Sequence, residues 1–164
     1  MKITNLENED IEACLKIYNY YIKNTCFTLE EDLLDLDTFT KRCNNIKSNF
    51  PFIVAKDESN NILGYAYLNT FNPRSAYRRS ADLSIYIDNN HTHEHLGKYL
   101  LDEIIKLVEK YNIDTIVSIV TSENENSVKF HLKNNFTLEG TLHNVAYKFN
   151  KDISISYFVR HLSK

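Results

Sequence analysis

Apolar and polar positions alternate along this chain in two rhythms, one near 3.6 residues and one of two, and the changes between them mark the elements. Residues 2–6 (KITNL) form a short strand pattern. After them Asn8 can cap a helix in which Ile11, Cys14, Leu15, Tyr18, Tyr21 and Ile22 recur at helical spacing. Asp35 or Asp37 can cap a second helix carrying Phe39, Cys43 and Ile46; Pro51 ends it, because proline disfavours helix at Phe50. Two β-rich runs, 52–56 (FIVAK) and 62–71 (ILGYAYLNTF), flank the polar turn 57–61 as a hairpin. In 81–87 (ADLSIYI) the period of two places Ala81, Leu83, Ile85 and Ile87 on one face and Asp82, Ser84 and Tyr86 on the other. A carboxylate in mid-strand requires a reason.

From Leu96 to about Tyr111 the positions Leu100, Leu101, Ile104, Ile105, Leu107 and Val108 predict a strong amphipathic helix. The β-branched run 113–121 reads as a buried strand, 124–135 as a helix with Val128 and Leu132 on one side, and 136–160 as two or three more strands. This order, β-α-α, three strands, α-β-α and terminal strands, predicts an α+β fold with a mixed sheet flanked by helices, and excludes a plain doubly wound sheet.

Composition narrows the possible functions. The chain has 164 residues, enough for one domain over 1–164 with an ordinary core. A net charge of −3 with scattered Lys and Arg argues against nucleic-acid binding, which needs clustered cations to neutralise phosphates. The longest apolar runs, such as 115–120, are far short of a membrane span, so a soluble cytoplasmic protein is expected. Cys14, Cys26 and Cys43 are odd in number and lack C-x-x-C spacing, which reads as reduced thiols, Cys14 among them a small core residue.

The candidate chemistry concentrates at 88–110, DNNHTHEHLGKYLLDEIIKLVEK. His91, His93 and His95 would share one face of a strand, and three imidazoles can hold zinc. The stretch falls, however, where a strand ends and a helix begins, and a helix mouth offers unpaired N–H groups and a positive dipole end to an anion. A histidine-rich turn without chemistry is the third reading; the anion-binding turn is favoured.

Three segments together, 73–88 (PRSAYRRSADLSIYID), the histidine turn with its helix, and 123–136 (ENENSVKFHLKNNF), resemble the phosphinothricin/methionine-sulfoximine branch of the GNAT superfamily of N-acetyltransferases. The likeness runs from residue 2 to roughly residue 150. It implies a GNAT-like, mostly antiparallel mixed sheet, with acyl-CoA lying along the exposed backbone of a splayed strand at Ile85, Tyr86 and Ile87. The pyrophosphate would sit on the amides of the helix mouth, at His93, His95, Leu96, Gly97 and Lys98. The family pattern Q/R-x-x-G-x-G/A meets THEHLG at 92–97: Thr92 replaces Arg/Gln, His95 replaces a glycine, and Gly97 keeps its place.

The resemblance also assigns roles. Asp82 matches the family's glutamate and would act as general base on the acceptor amine, the bland alternative being an ion pair with Arg78 or Arg79. His131 would protonate the departing thiolate, and Asn124 would contact the cofactor while also serving as an N-cap. Arg74, Tyr77 and Arg78 would hold a small amino acid's carboxylate. Asn135 stands for the glycine of G-F, where a left-handed residue is wanted, and of K-x-G-x-W-x-D only Lys148 is kept. The expectation is therefore an acetyl-CoA-dependent N-acetyltransferase for a small amine such as phosphinothricin or methionine sulfoximine, without a metal or a nucleic-acid or membrane partner, in a family whose members often dimerise. The rival is a catalytically weak acyl-CoA-binding or ligand-sensing protein with a degenerate pyrophosphate loop.

Overall fold

The computed structural model describes residues 1–92 and 95–162. Seven strands, β1 (Lys2–Asn5), β2 (Phe52–Lys56), β3 (Ile62–Thr70), β4 (Ser80–Ile87), β5 (Thr115–Thr121), β6 (Thr137–Lys148) and β7 (Lys151–His161), form one sheet in the order β1-β2-β3-β4-β5-β7-β6. Every pairing is antiparallel except β4 with β5. The helices are α1 (Ile11–Asn24), α2 (Leu36–Lys47), α3 (Leu96–Leu107) and α4 (Glu125–Lys133).

The two faces of the sheet carry separate cores. One gathers the inner sides of α1 and α2, with Cys14, Tyr18, Ile22, Phe39 and Cys43 over Phe52, Val54 and Tyr65. The other packs Leu96, Leu100, Leu101 and Ile104 of α3 on Ala66, Leu68, Ala81 and Leu83, with Val128 and Phe130 of α4 beside them. Because side chains alternate along β4, Asp82, Ser84 and Tyr86 face the α1/α2 side, opposite Asn69, Tyr67 and Tyr65 of β3.

Several expected boundaries shift for local reasons. Asn8 does not cap α1; a 3-10 turn at Asn8–Asp10 precedes the helix, and the Asp10 carboxylate accepts the Glu7 N–H at 3.0 Å while pairing with the buried Lys56 at 2.7 Å. Asp35, not Asp37, caps α2 by accepting the Thr38 N–H at 2.7 Å. On α4, Val128 turns inward but Leu132 stays 54% exposed; His131 takes the buried position instead. The tail resolves into two strands. Among the described residues no helix is long and apolar enough to cross a membrane.

Asparagine does much of the backbone work usual for glycine. None of the three glycines has a positive φ, whereas Asn60, Asn112, Asn135, Asn144 and Asn150 all do. Asn135, at φ 63°, ends α4 as expected, and the next amide, of Phe136, returns to the His131 carbonyl at 3.1 Å.

Candidate active site

The sheet opens between its two parallel strands. The β4–β5 ladder covers only Ser80↔Thr115, Ala81↔Ile116 and Asp82↔Val117, so among the described residues β4 beyond this point has no strand paired on that side. The β3 register, with the Asp88 N–H donating to Leu63 O at 2.9 Å, turns the backbone of even-numbered β4 residues toward β3. The odd-numbered residues therefore face the opening, and the amides of Ile85 and Ile87 are its donors. Tyr86, expected to share this backbone role, instead spends its amide and carbonyl on β3 and contributes a ring to the α1/α2 side.

At the far end of this opening lies the mouth of α3. Its N-cap, His95, is left-handed at φ 58°, a conformation that favours glycine, and its carbonyl accepts from the amides of Lys98 at 3.0 Å and Tyr99 at 3.4 Å. The first-turn amides of Leu96 and Gly97 have no carbonyl within the helix to bond, which leaves them suited to an anion. Gly97 has no positive φ, and a Cβ there would meet the Phe130 ring of α4 at 3.4 Å, an ordinary van der Waals contact, so neither turn geometry nor packing within the chain demands glycine. Lys98 does not reach back toward the mouth; its ammonium runs down the helix to Asp102 at 2.5 Å. His93 lies outside the described residues. Among those described, no three His, Cys, Asp or Glu side chains gather to hold a metal ion.

At the vertex, where β4 and β5 last pair, stands Asp82. The expected alternative partners are engaged elsewhere: Arg79 pairs with Asp114, and Arg78 donates to Ser75 O at 3.2 Å. Burial pushes the Asp82 carboxyl up to about 6, offset only in part by the Leu83 amide. An acid with that value is largely ionised at neutral pH and still basic enough to take a proton.

Around Asp82 on the same face is an aromatic wall that sequence periodicity presented simply as core. Tyr18 meets Tyr86 edge-on at 5.1 Å and Phe39 at 5.9 Å, while Phe52, Tyr65 and Tyr67 stack alongside. The polar end of the Tyr18 ring is tied to the segment between α1 and α2: its hydroxyl contacts Thr28 Oγ1 at 3.0 Å and donates to Glu30, which grips Arg42 through two bonds at 2.7 and 2.9 Å. Lys148 is 2% exposed and donates to Thr28 O at 2.9 Å, fastening the same segment to the β6–β7 hairpin. Lys148 had a signal in the sequence, as the one retained position of a tail motif.

The geometry of His131 does not fit a proton donor. Its Nδ1 lies 2.7 Å from the Ser127 carbonyl oxygen, which can only accept, so Nδ1 carries the proton and Nε2 is bare in the neutral ring. Burial among Phe130, Phe136 and Phe158 lowers the pKa below 6.5 and keeps the ring neutral. Among the described residues the buried Nε2 has no partner. Asn124 caps α4, its side chain accepting the Ser127 N–H at 3.1 Å. Arg74, Tyr77 and Arg78 do come together: with Phe50, Thr70 and Ser80 they line a cleft of about 390 Å³ at the start of β4.

The chain matches the model of the Acetyltransferase (GNAT) domain over residues 3–155. It is 28% identical to the phosphinothricin N-acetyltransferase of Alcaligenes faecalis, covering 96% of this chain and 81% of that one. It is 26% identical to the L-methionine sulfoximine/L-methionine sulfone acetyltransferase of Pseudomonas aeruginosa, covering 90% and 87%. Among solved structures, an N-acetyltransferase from Staphylococcus aureus Mu50 superposes with a TM-score of 0.95 at 29% identity, covering 99% of this chain and 98% of that one. A phosphinothricin acetyltransferase from Sinorhizobium meliloti, solved in complex with AcCoA, shares the fold with a TM-score of 0.95 at 24% identity, covering 99% and 88%.

Proposed function

Because the chain belongs to the Acetyltransferase (GNAT) domain family, we propose that it transfers the acetyl group of acetyl-CoA to the amine of a small molecule, an amino acid or analogue such as phosphinothricin or methionine sulfoximine. The observation that carries this is the parting of β4 from β5, which leaves the Ile85 and Ile87 amides facing a channel between an anion-receptive helix mouth and a desolvated carboxylate.

In this reading the first-turn amides of Leu96 and Gly97 receive the diphosphate. The amides of Ile85 and Ile87 run along the pantetheine limb and polarise the acetyl carbonyl. From the α1/α2 side the acceptor enters against the aromatic wall, its carboxylate held by Arg74 or Arg78 beside Tyr77. Asp82, through water, takes one proton from the ammonium, since only the neutral amine has a lone pair to attack with. The new C–N bond forms, the C–S bond breaks, and the thiolate takes up the second proton that nitrogen releases. His131 spends its one proton on the Ser127 carbonyl and its bare Nε2 has none to give, so the thiolate's proton comes from the amine itself. Direct transfer of this kind calls for no metal.

The reading includes a reducing cytoplasm, in keeping with three buried thiols, and a homodimer, in keeping with exposed Leu138, Leu142, Val145 and Tyr147 on the edge strand β6. Calorimetry with acetyl-CoA, followed by thiol release across an amine panel containing phosphinothricin and methionine sulfoximine, tests it. Saturable thiol release with one amine is the expected result. Binding without thiol release from any amine would overturn the catalytic reading and leave an acyl-CoA-binding protein.

A further inference from the structure

The Tyr21 hydroxyl donates to the Ile87 carbonyl oxygen at 2.6 Å, across 66 residues of chain. Ile87 is odd-numbered in β4, so this carbonyl faces the opening, past the last rung that β5 provides. Tyr21 thus supplies the one bond that a continued β5 would have made there. Its own placement is firm: α1 ends three residues later, and Thr25 bonds back to Tyr21 O through both its amide, at 3.2 Å, and its hydroxyl, at 2.8 Å. The ring is wedged between Tyr20 at 5.5 Å and Tyr86 at 5.6 Å.

We propose that Tyr21 is a positioning residue for acetyl-CoA, anchoring the splayed end of β4 to α1 so that the Ile85 and Ile87 amides point steadily into the channel. By occupying the Ile87 carbonyl it also leaves the Ile87 amide as the group that this residue offers to the channel, which suits a carbonyl oxygen of a pantetheine limb. The inference rests on the acetyl-CoA reading above.

The test is Tyr21→Phe in the full chain, which removes one oxygen and keeps the ring packing. Losing a single hydrogen bond predicts that the Kd for coenzyme A and the KM for acetyl-CoA rise together about three- to tenfold, with kcat falling by no more than the same factor and the KM for the amine unchanged. Tyr20→Phe, on the exposed side of α1, leaves all four unchanged. Hydrogen exchange without coenzyme gives a readout independent of catalysis: the amides of Tyr86 and Asp88, which bond to β3 at the anchored strand end, exchange faster in Tyr21→Phe than in the parent. Unaltered exchange, or coenzyme binding as tight as the parent's or tighter, overturns the proposal. A parent that binds no coenzyme sinks the acetyl-CoA reading instead.

Discussion

On α4 the imidazole of His131 points its Nδ1–H at the carbonyl of Ser127, one turn earlier and 2.7 Å away, and this single bond fixes which nitrogen holds the proton. The neutral ring is what the native state prefers, because burial penalises the charged form. Below about pH 6.5 the unfolded chain therefore binds a proton that the folded chain refuses, and stability falls as pH is lowered through that value. His131→Phe keeps an aromatic ring against Phe136 and Phe158 and abolishes this titration. Thermal melts from pH 7.5 to 5 are expected to show a steeper decline in the parent than in the variant. Parallel curves would mean that the ring titrates as if exposed.

Asp82 behaves oppositely. A carboxyl whose folded value is raised to about 6 binds a proton in the native state between roughly pH 4 and 6, where the unfolded chain has released it. Stability contributed by the protonated acid is lost as pH rises through this window, up to about 3 kcal/mol at neutral pH for a shift of this size. Asp82→Asn should melt higher than the parent at pH 7.5 and close to it at pH 4, while kcat falls about 10²-fold or more. For the parent, kcat/KM should climb through about pH 6 as the carboxylate ionises. An Asn variant that keeps full activity with the same acidic limb would remove Asp82 from the chemistry.

The fold was readable because its signals are local and repeated: the apolar spacing of α1 and α3, the alternation in β4, and Pro51 closing α2 all act within a few residues. Asp82 was legible for the same reason, as a charge in an otherwise apolar rhythm. Roles that depend on hydrogen-bond direction were not. Which β4 amides face the opening follows from the β3 register, and the His131 tautomer from a carbonyl one turn away. Lys98 reads as a cation near the helix mouth until Asp102, four residues on, takes it along the helix. Tyr18 and Tyr21 look like core by spacing, since periodicity reports where a ring is buried and says nothing of what its hydroxyl reaches.

His95 occupies a left-handed position, φ 58°, at the mouth of α3, where an L side chain costs roughly 1–2 kcal/mol relative to glycine. It also immediately precedes the amides assigned to the diphosphate, where a side chain can limit the approach of a phosphate. Replacing it with glycine removes both the strain and the obstruction, though glycine loses more backbone entropy on folding. His95→Gly is therefore expected to bind coenzyme A more tightly than the parent, with melting temperature nearly unchanged. Weaker binding in calorimetry would show that the imidazole itself contacts the diphosphate.

Gly64 is the place where a small change should do the most harm to coenzyme binding from outside the channel. It sits opposite Ile87 in the β3–β4 ladder, and a Cβ there would stand 2.8 Å from Ile87 Cδ1 and 2.9 Å from the Tyr86 carbonyl oxygen. The side-chain contact could be relieved by a rotamer change; the carbonyl cannot move without shifting the strand. Gly64→Ala must therefore push the end of β4 away from β3, toward the opening, and disturb the two amides that face it. Overpacking of this kind costs on the order of 1–3 kcal/mol. The variant is expected to melt lower by several degrees and to lose affinity for coenzyme A while the KM for the amine, set on the other face, changes less. Equal losses in both would mean that the strand end and the acceptor face move as one unit.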